Sequence, residues 1–279
     1  MECMHKKTIS EIIRAIIVCL MVGIFILPFI YILFTSFKPI AETHQVPPTL
    51  WPDTWTTIGY KEVFLKNPFG PQYFVNSIIV TLGTVAFVIV CASFGAYGFA
   101  RLRIPGKLYI MLFILGSYMF PGPVIMVPIY ETFKQLGLID SRLGLIILYT
   151  VFSLPFCIWM LTGYFGGIPE ELCDAARIDG CSEIGILTKI MVPVARPGLV
   201  ATALFSFLVS WNEFLFAFIL LKSQEKYTIT LGLVNFITRY HVLWNEMSAM
   251  AVVAIAPVVV FFLFLSGSFV KGLTAGAIK

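Results

Sequence analysis

Six long apolar runs, separated by polar stretches of unequal length, set the pattern of this chain. They cover roughly residues 12–37, 73–100, 108–127, 143–165, 199–221 and 247–270. Each is close to the 20 or so residues that a helix rising about 1.5 Å per residue needs to cross a bilayer. Lipid offers no partners to free backbone groups, so spans of this kind are helical. Pro28, Pro121, Pro155 and Pro257 interrupt four of the runs. Neighbouring helices can absorb such kinks, so the prolines argue against straight rods and not against spanning. The pattern predicts an all-α membrane protein of six transmembrane helices.

The polar stretches differ in kind. Residues 38–72 are rich in proline and carry Trp51, Trp55, Tyr60 and Phe64. An aromatic-rich loop of this sort packs at the membrane surface, where Trp and Tyr are favoured. Residues 128–142 read as a short loop, with Pro128 opening a possible helix and Gly137 closing it. Residues 222–246 hold the run Thr228 to Thr230, then Gly232 and the aromatic group Phe236, Tyr240, His241 and Trp244. Residues 168–198 are the most polar interruption. Pro169 suits the first turn of a helix, and Glu170 and Glu171 follow where negative charge meets the positive end of the dipole. Leu172, Ala175 and Ala176 share one side at helical spacing. Gly180 is placed for a left-handed turn, and Ser182 for the cap of a second helix over 183–191. That helix has Ile184, Leu187, Ile190 and Met191 on one apolar face, and Pro193 and Pro197 stop it.

Composition sharpens the picture. The 279 residues are 59% hydrophobic and 12% charged, against about 25% charged in soluble domains. Net charge is +4 and no basic run exceeds two residues, so nucleic acid is not a partner. Arg14, Arg101, Arg103 and Lys107, with Lys6 and Lys7, flank the runs on the side that also holds 168–198. By the positive-inside rule, both termini and that segment face the cytoplasm. The first run is too long for a signal-peptide core of about 7–15 residues and lacks a small-residue cleavage pattern, which predicts an uncleaved span. Cys3, Cys19, Cys91, Cys157, Cys173 and Cys181 form no C-x-x-C pair, and His5, His44 and His241 are scattered; neither a disulfide framework nor a metal site is expected. H-E-x-x-H, G-x-S-x-G and the phosphate-cradling G-x-x-x-x-G-K-[ST] are absent, so no catalytic residue is expected.

One motif is specific. Asp174, Ala175 and Ala176 are followed after three residues by Gly180, after nine more by Ile190, and then by Val192-Pro193. This resembles the EAA signature of ABC-importer membrane subunits, with Asp174 in place of the usual Glu and Val192 in place of the usual Leu. Other stretches extend the likeness to the carbohydrate-import group, the kind found in the maltose transporter. They are Asn76-Ser77, the run from Gly95 to Arg103 with Pro105-Gly106-Lys107, Met119-Phe120-Pro121, Leu136 to Asp140, Arg196-Pro197-Gly198, Trp211-Asn212-Glu213-Phe214 and the tail Gly272 to Lys279. Ser266-Gly267-Ser268 departs from the Gln and basic residue usual there.

The resemblance implies a type I importer permease fold in the bacterial inner membrane, multi-pass, with both termini cytoplasmic. It divides the chain into an N-terminal tail and first span (1–37), an external loop (38–72), a five-helix core (73–270) with the cytoplasmic coupling loop 168–198, and a cytoplasmic tail (271–279). It implies a second homologous permease, two ATPase subunits, an extracytoplasmic solute-binding protein and lipid as partners. No cofactor is expected on this chain, because ATP and Mg would be bound by the ATPase. Glu171, Asp174, Ala175, Ala176, Asp179 and Gly180 would contact that ATPase; residues 272–279 would touch it too, and 222–246 the binding protein. The solute would be a sugar or oligosaccharide, with polyols or glycerol phosphate esters also open.

Glu213 is the one acid well inside an apolar run. A charge at mid-membrane costs about 2.5–3.5 kcal/mol on insertion scales, so it faces water, pairs, or is protonated. Asn212 adds hydrogen-bonding capacity and Trp211 a flat face suited to sugars. Consecutive helical residues point about 100° apart and cannot all face one pore. Two readings stay open for these three residues: a pathway lining, or packing at the interface between permeases. A different class, an ion-coupled secondary transporter using Glu213, would show several intramembrane ionisable groups and often paired halves.

Overall fold

The computed structural model describes residues 2–238 and 241–277, with the side chains of residue 11 and of residues 13–238 and 241–263. Tyr240 lies outside the described residues. Cys3, His5, Lys6, Lys7, Ser266-Gly267-Ser268 and the tail 272–279 lie outside the described side chains. Among the described residues the only β pairing is one bridge between Ile237 and Val242. Ten helices organise the rest: α1 (Glu2–Thr35), α2 (Gly70–Arg101), α3 (Lys107–Tyr118), α4 (Gly122–Gln135), α5 (Arg142–Gly166), α6 (Glu170–Ile178), α7 (Glu183–Ile186), α8 (Arg196–Trp211), α9 (Leu215–Leu220) and α10 (Trp244–Ala277), with further helical turns of three to five residues between them.

Four stretches are each long and apolar enough to cross a membrane: Ile13–Thr35, Gly70–Arg101, Arg142–Gly166 and Trp244–Leu263. The number rises to six if two bent helix pairs each count as one span. The predicted run 108–127 is one of these pairs: α3 and α4 meet at 93°. The bend falls at Pro121, which adopts an extended conformation as the cap of α4. Proline removes one donor and clashes with the turn before it, so a helix can end there. Pro28, Pro155 and Pro257 instead sit inside continuous helices. Pro128 also lies inside α4 and does not open a helix as expected. The predicted run 199–221 is divided as well: α8 stops at Trp211 and α9 starts at Leu215.

The chain forms two compact units. The first comprises residues 1–70 and 233–255. Its loop after α1 is built on a buried ion pair. Lys38 and Glu42 are 3.9 Å apart, and Thr49 Oγ1 accepts from Lys38 at 2.9 Å and donates to Glu42 at 2.8 Å. Burial alone raises the Glu42 pKa, but hydrogen bonds from Thr49 and the Asp53 amide, with the Lys38 charge, bring it below the ordinary value. Phe34 meets Trp51 at 4.6 Å, and Phe37 meets Trp55 and Tyr60 at 5.7 and 5.3 Å. The aromatics of this loop thus pack on the end of α1.

The second unit, residues 71–232 and 256–279, has two buried clusters. One joins Val80 of α2, Leu145 and Tyr149 of α5, Phe216 and Leu220 of α9, and Leu231. The other joins Ala92, Ala96 and Tyr97 of α2, Cys157, Leu161 and Phe165 of α5, and the buried side of α6 and α7. Lipid tails are as apolar as leucine, so helices in a membrane associate through close packing of small residues and interhelical hydrogen bonds. Ala92 and Ala96, both fully buried one turn apart, provide the first. Hydrogen bonds also tie α2 to the 225–229 loop: Asn76 Nδ2 donates to the carbonyls of Glu225 and Tyr227, each at 2.9 Å, and Ser77 Oγ accepts from the Ile229 amide at 2.8 Å.

Candidate functional site

The polar segment folds as two short helices around a tight turn. Pro169 is extended and precedes α6 as its cap, one position earlier than expected, which leaves Glu170 and Glu171 in the first turn. At the other end, Cys181 N–H bonds to Ala176 O at 2.9 Å and Gly180 N–H to Arg177 O at 3.0 Å. Gly180 has φ of +80°. This is a Schellman ending, which requires the left-handed backbone that glycine adopts without a Cβ penalty. Ser182 Oγ then accepts from the Gly185 amide at 3.2 Å and caps α7. The chain passes through a wide π turn, Leu187–Met191, and a short helix, Val192–Val194, before an 83° bend into α8. Pro193 is therefore tolerated in a first turn, and the stop falls at Ala195.

The buried side of this segment is Cys173, Ala176, Ile186, Leu187 and Met191. Leu172 and Ala175, expected to share one side with Ala176, are exposed while Ala176 is buried, and Ile184, expected on one apolar face with Leu187, Ile190 and Met191, is exposed. The reason is packing: the side of α6 that meets Phe165 and Met191 is the one carrying Cys173 and Ala176, three residues apart. The outer surface consequently combines apolar Leu172, Ile178 and Ile184 with Glu171, Asp174, Asp179 and the turn at Gly180.

Arg177 organises the charges. Its Nη1 donates to Asp174 at 2.7 Å, its Nε to Glu183 Oε1 at 3.0 Å and its Nη2 to Glu183 Oε2 at 3.4 Å. The Tyr97 hydroxyl of α2 donates to the same Glu183 carboxylate. Arg177 first, and Tyr97 second, hold the Glu183 carboxyl below its ordinary pKa, and Glu183 and Asp174 raise that of Arg177. Arg101, at the end of α2, donates through Nη2 to the carbonyls of Phe165 and Ile168. These bonds tether α6 and α7 to the ends of α2 and α5.

The second group of candidate residues lies at the break between α8 and α9. Trp211 is buried, stacked on Phe207 at 5.6 Å and edge-on to Phe74 at 6.0 Å. Asn212 is exposed and its Nδ2 donates to the Leu208 carbonyl at 2.9 Å. The Glu213 carboxylate accepts from the Tyr149 hydroxyl at 2.5 Å and from the amides of Phe216 and Ala217 at 2.9 and 3.2 Å. Its oxygens thus satisfy two free amides at the start of α9. Its own carbonyl accepts from Thr230 Oγ1 at 2.7 Å.

Three partners escaped the sequence reading. Tyr97 and Tyr149 lie 86 and 64 positions from the acids they bond, and no local pattern pairs them. Asp140 has φ of 55° and gathers the amides of Lys222 and Ser223, the Ser223 hydroxyl and the Lys226 ammonium within 3.0 Å. Its position after Gly137 was a turn signal, but nothing marked it as a hub. Among the described residues no three His, Cys, Asp or Glu side chains converge as a metal would require.

Apolar helices of spanning length, two sharply bent pairs and a tethered polar two-helix segment define a multi-pass helical membrane subunit. Comparison with known proteins makes the class specific. Residues 1–274 match the family of binding-protein-dependent transport system inner membrane components. The chain belongs to that family, whose members are the permease subunits of ABC transporters. It is 36% identical over 278 residues, 99% of each chain, to the inner membrane ABC transporter permease protein YcjP of Escherichia coli. It is 36% identical to the sulfoquinovosyl glycerol transport system permease protein SmoH of Agrobacterium fabrum, covering 90% of this chain and 88% of that one. Its structure superposes on a subunit of a bacterial ABC transporter involved in import of the acidic polysaccharide alginate, with a TM-score of 0.82, 25% identity and coverage of 95% and 98%.

Proposed function

We propose that this chain forms half of the translocation pathway of an ATP-driven importer for a sugar or oligosaccharide. Relatives named for sulfoquinovosyl glycerol, diacetylchitobiose and arabinooligosaccharides support that solute class. A second homologous permease would form the other half, an extracytoplasmic binding protein would deliver solute, and two ATPase subunits would bind ATP and Mg. Both termini and residues 168–198 would face the cytoplasm.

The observation that carries the reading is the outer surface of α6 and its turn. Leu172 and Ile178 stand exposed beside Glu171, Asp174 and Asp179 on a segment tied to α2 through Glu183 and Tyr97. Exposed apolar side chains rimmed by charge suit a protein partner. The tether would let a push on the segment reach the spans. Glu171, Asp174, Ala175, Ala176, Asp179 and Gly180 would form or shape the ATPase contact, although Ala176 is buried and would act by setting the approach of α6. Trp211, Asn212 and Glu213 would hold the α8–α9 break in shape near the pathway.

The test is uptake by the complete complex in vesicles. Gly180→Pro or Asp174→Lys should abolish most ATP-dependent uptake while leaving membrane insertion intact. Unchanged uptake in both variants would sink the coupling role. The chain purified alone should hydrolyse no ATP.

A further inference from the structure

Two cavities of the second unit meet at the end that carries the polar segment. One, of about 460 Å³, is apolar, lined by Phe99, Leu108, Met111, Trp159, Met160 and Gly163. The other, of about 720 Å³, runs along residues 100–109 and holds Arg101, Arg103 and Lys107, with Glu170 as its acid. Lys107 and Leu108 line both, so the apolar cleft opens at a basic mouth. Arg101 is already committed to the carbonyls of Phe165 and Ile168. Arg103 and Lys107 are exposed and enter no ion pair among the described residues; Lys107 Nζ lies 3.5 Å from the Phe99 carbonyl. The positive end of α3 starts at the same Lys107. Tyr109 and Trp159, 77% and 48% exposed, flank the site with the amphipathic aromatics that favour headgroup depth.

We propose that this mouth and cleft hold an anionic diacyl phospholipid, with its phosphate at Arg103 and Lys107 and an acyl chain along Leu108, Met111 and Trp159. Charge complementarity selects this occupant. A hydrophilic solute would gain nothing from the apolar cleft, and a zwitterionic lipid would bring a cation to a mouth that already carries an excess of positive charge. Basic pockets between membrane helices suit acidic headgroups for this reason. The lipid would stand as a wedge between α3 and α5, next to Glu170 at the start of α6.

The experiment is native mass spectrometry of the complete complex after exchange into detergent with equal amounts of phosphatidylglycerol and phosphatidylcholine. The expected result is preferential retention of phosphatidylglycerol. Arg103→Gln with Lys107→Gln should lower that retention about 30-fold, near fivefold for each charge, and leave phosphatidylcholine unchanged. Gly163→Phe should lower retention of both lipids, since a Cβ at Gly163 meets nothing within 4 Å and the ring can enter the cleft without disturbing the helix. Three results would overturn the proposal. The first is no preference in the native chain, or a preference indifferent to both variants. The second is displacement by inorganic phosphate, which would mark a simple anion site. The third is loss of the second permease subunit on Gly163→Phe with lipid retention unchanged, which would make the cleft a protein interface.

Discussion

The Tyr149 hydroxyl meets the Glu213 carboxylate at 2.5 Å, joining α5 to the start of α9. The acid is therefore occupied in holding a helix break together. Tyr149→Phe should cost about 1–3 kcal/mol, the scale of leaving a buried acceptor without its partner, read as a lower melting temperature in detergent. Glu213→Gln should also lower melting, and uptake should remain ATP-dependent and insensitive to a proton uncoupler. Abolished uptake with unchanged melting would instead give Glu213 a role in the pathway.

Arg177 bridges α6 and α7 at the exposed surface of the second unit. Exposed ion pairs contribute little to stability, about 0–1 kcal/mol, so Arg177→Ala should hardly move melting. It should nevertheless loosen the geometry between Asp174 and Glu183. We expect solute-stimulated ATP hydrolysis by the complex to fall about tenfold, within the range of substitutions that disturb coupling between sites. A change in melting as large as the change in activity would point to misfolding.

Gly180 sits at φ +80° with open space where a Cβ would stand. The cost of Gly180→Ala is then purely backbone, about 1–2 kcal/mol. Gly180→Asn should cost less, because asparagine also enters the left-handed region. Faster amide exchange over residues 174–186 should follow the order Ala, Asn, Gly. Equal exchange in all three would contradict the turn geometry.

Asp140 contributes stability that depends on pH. Burial alone raises its pKa, but the Lys226 and Ser223 side chains and the amides of Ser223 and Lys222 outweigh burial and hold it well below the carboxylate range. The folded pKa is depressed, so the contribution is complete above the unfolded value of about 4 and is lost as pH falls below it. Asp140→Asn should lower melting at neutral pH, and the gap to the native chain should narrow as pH drops below about 4. A gap that widened with acid would reverse the assignment.

Gly198 lets α8 approach α5. A Cβ there would lie 2.5–2.9 Å from Tyr164 ring and Cβ atoms. Gly198→Ala should destabilise by about 1–3 kcal/mol, the usual cost of overpacking, and Tyr164→Leu should recover part of the loss. Additive losses in the double variant would show that the two residues do not touch.

The apolar runs were legible because spanning demands a length and composition that few other structures share. The turn at Gly180 was legible too, since Gly180 and Ser182 perform there the local roles their chemistry suggests. The breaks were less so. Pro121 and Pro155 look alike along the chain, yet one stands at a break between helices and the other sits inside one. The buried positions of α6 were not legible from spacing either. Leu172 is the larger apolar residue, but Cys173 and Ala176 fit the narrow space against Phe165 and Met191. Pairs such as Asn76 with Tyr227, 151 positions apart, leave no trace in local spacing.

Helix α2 carries attachments near both ends. Asn76 and Ser77 grip the loop around residues 225–229, and Tyr97 and Arg101 grip the polar segment and the chain that leads into it. The two grips are about 31 Å apart along an unbroken helix, close to the thickness of a hydrocarbon core. One unbroken helix thus links the two grips, one near each of its ends. Tilting it by about 5° would shift one grip relative to the other by nearly 3 Å, about the length of a hydrogen bond. If the helix moves as one piece, a load that repositioned the loop at one end would also reposition the polar segment at the other, and the reverse would hold equally.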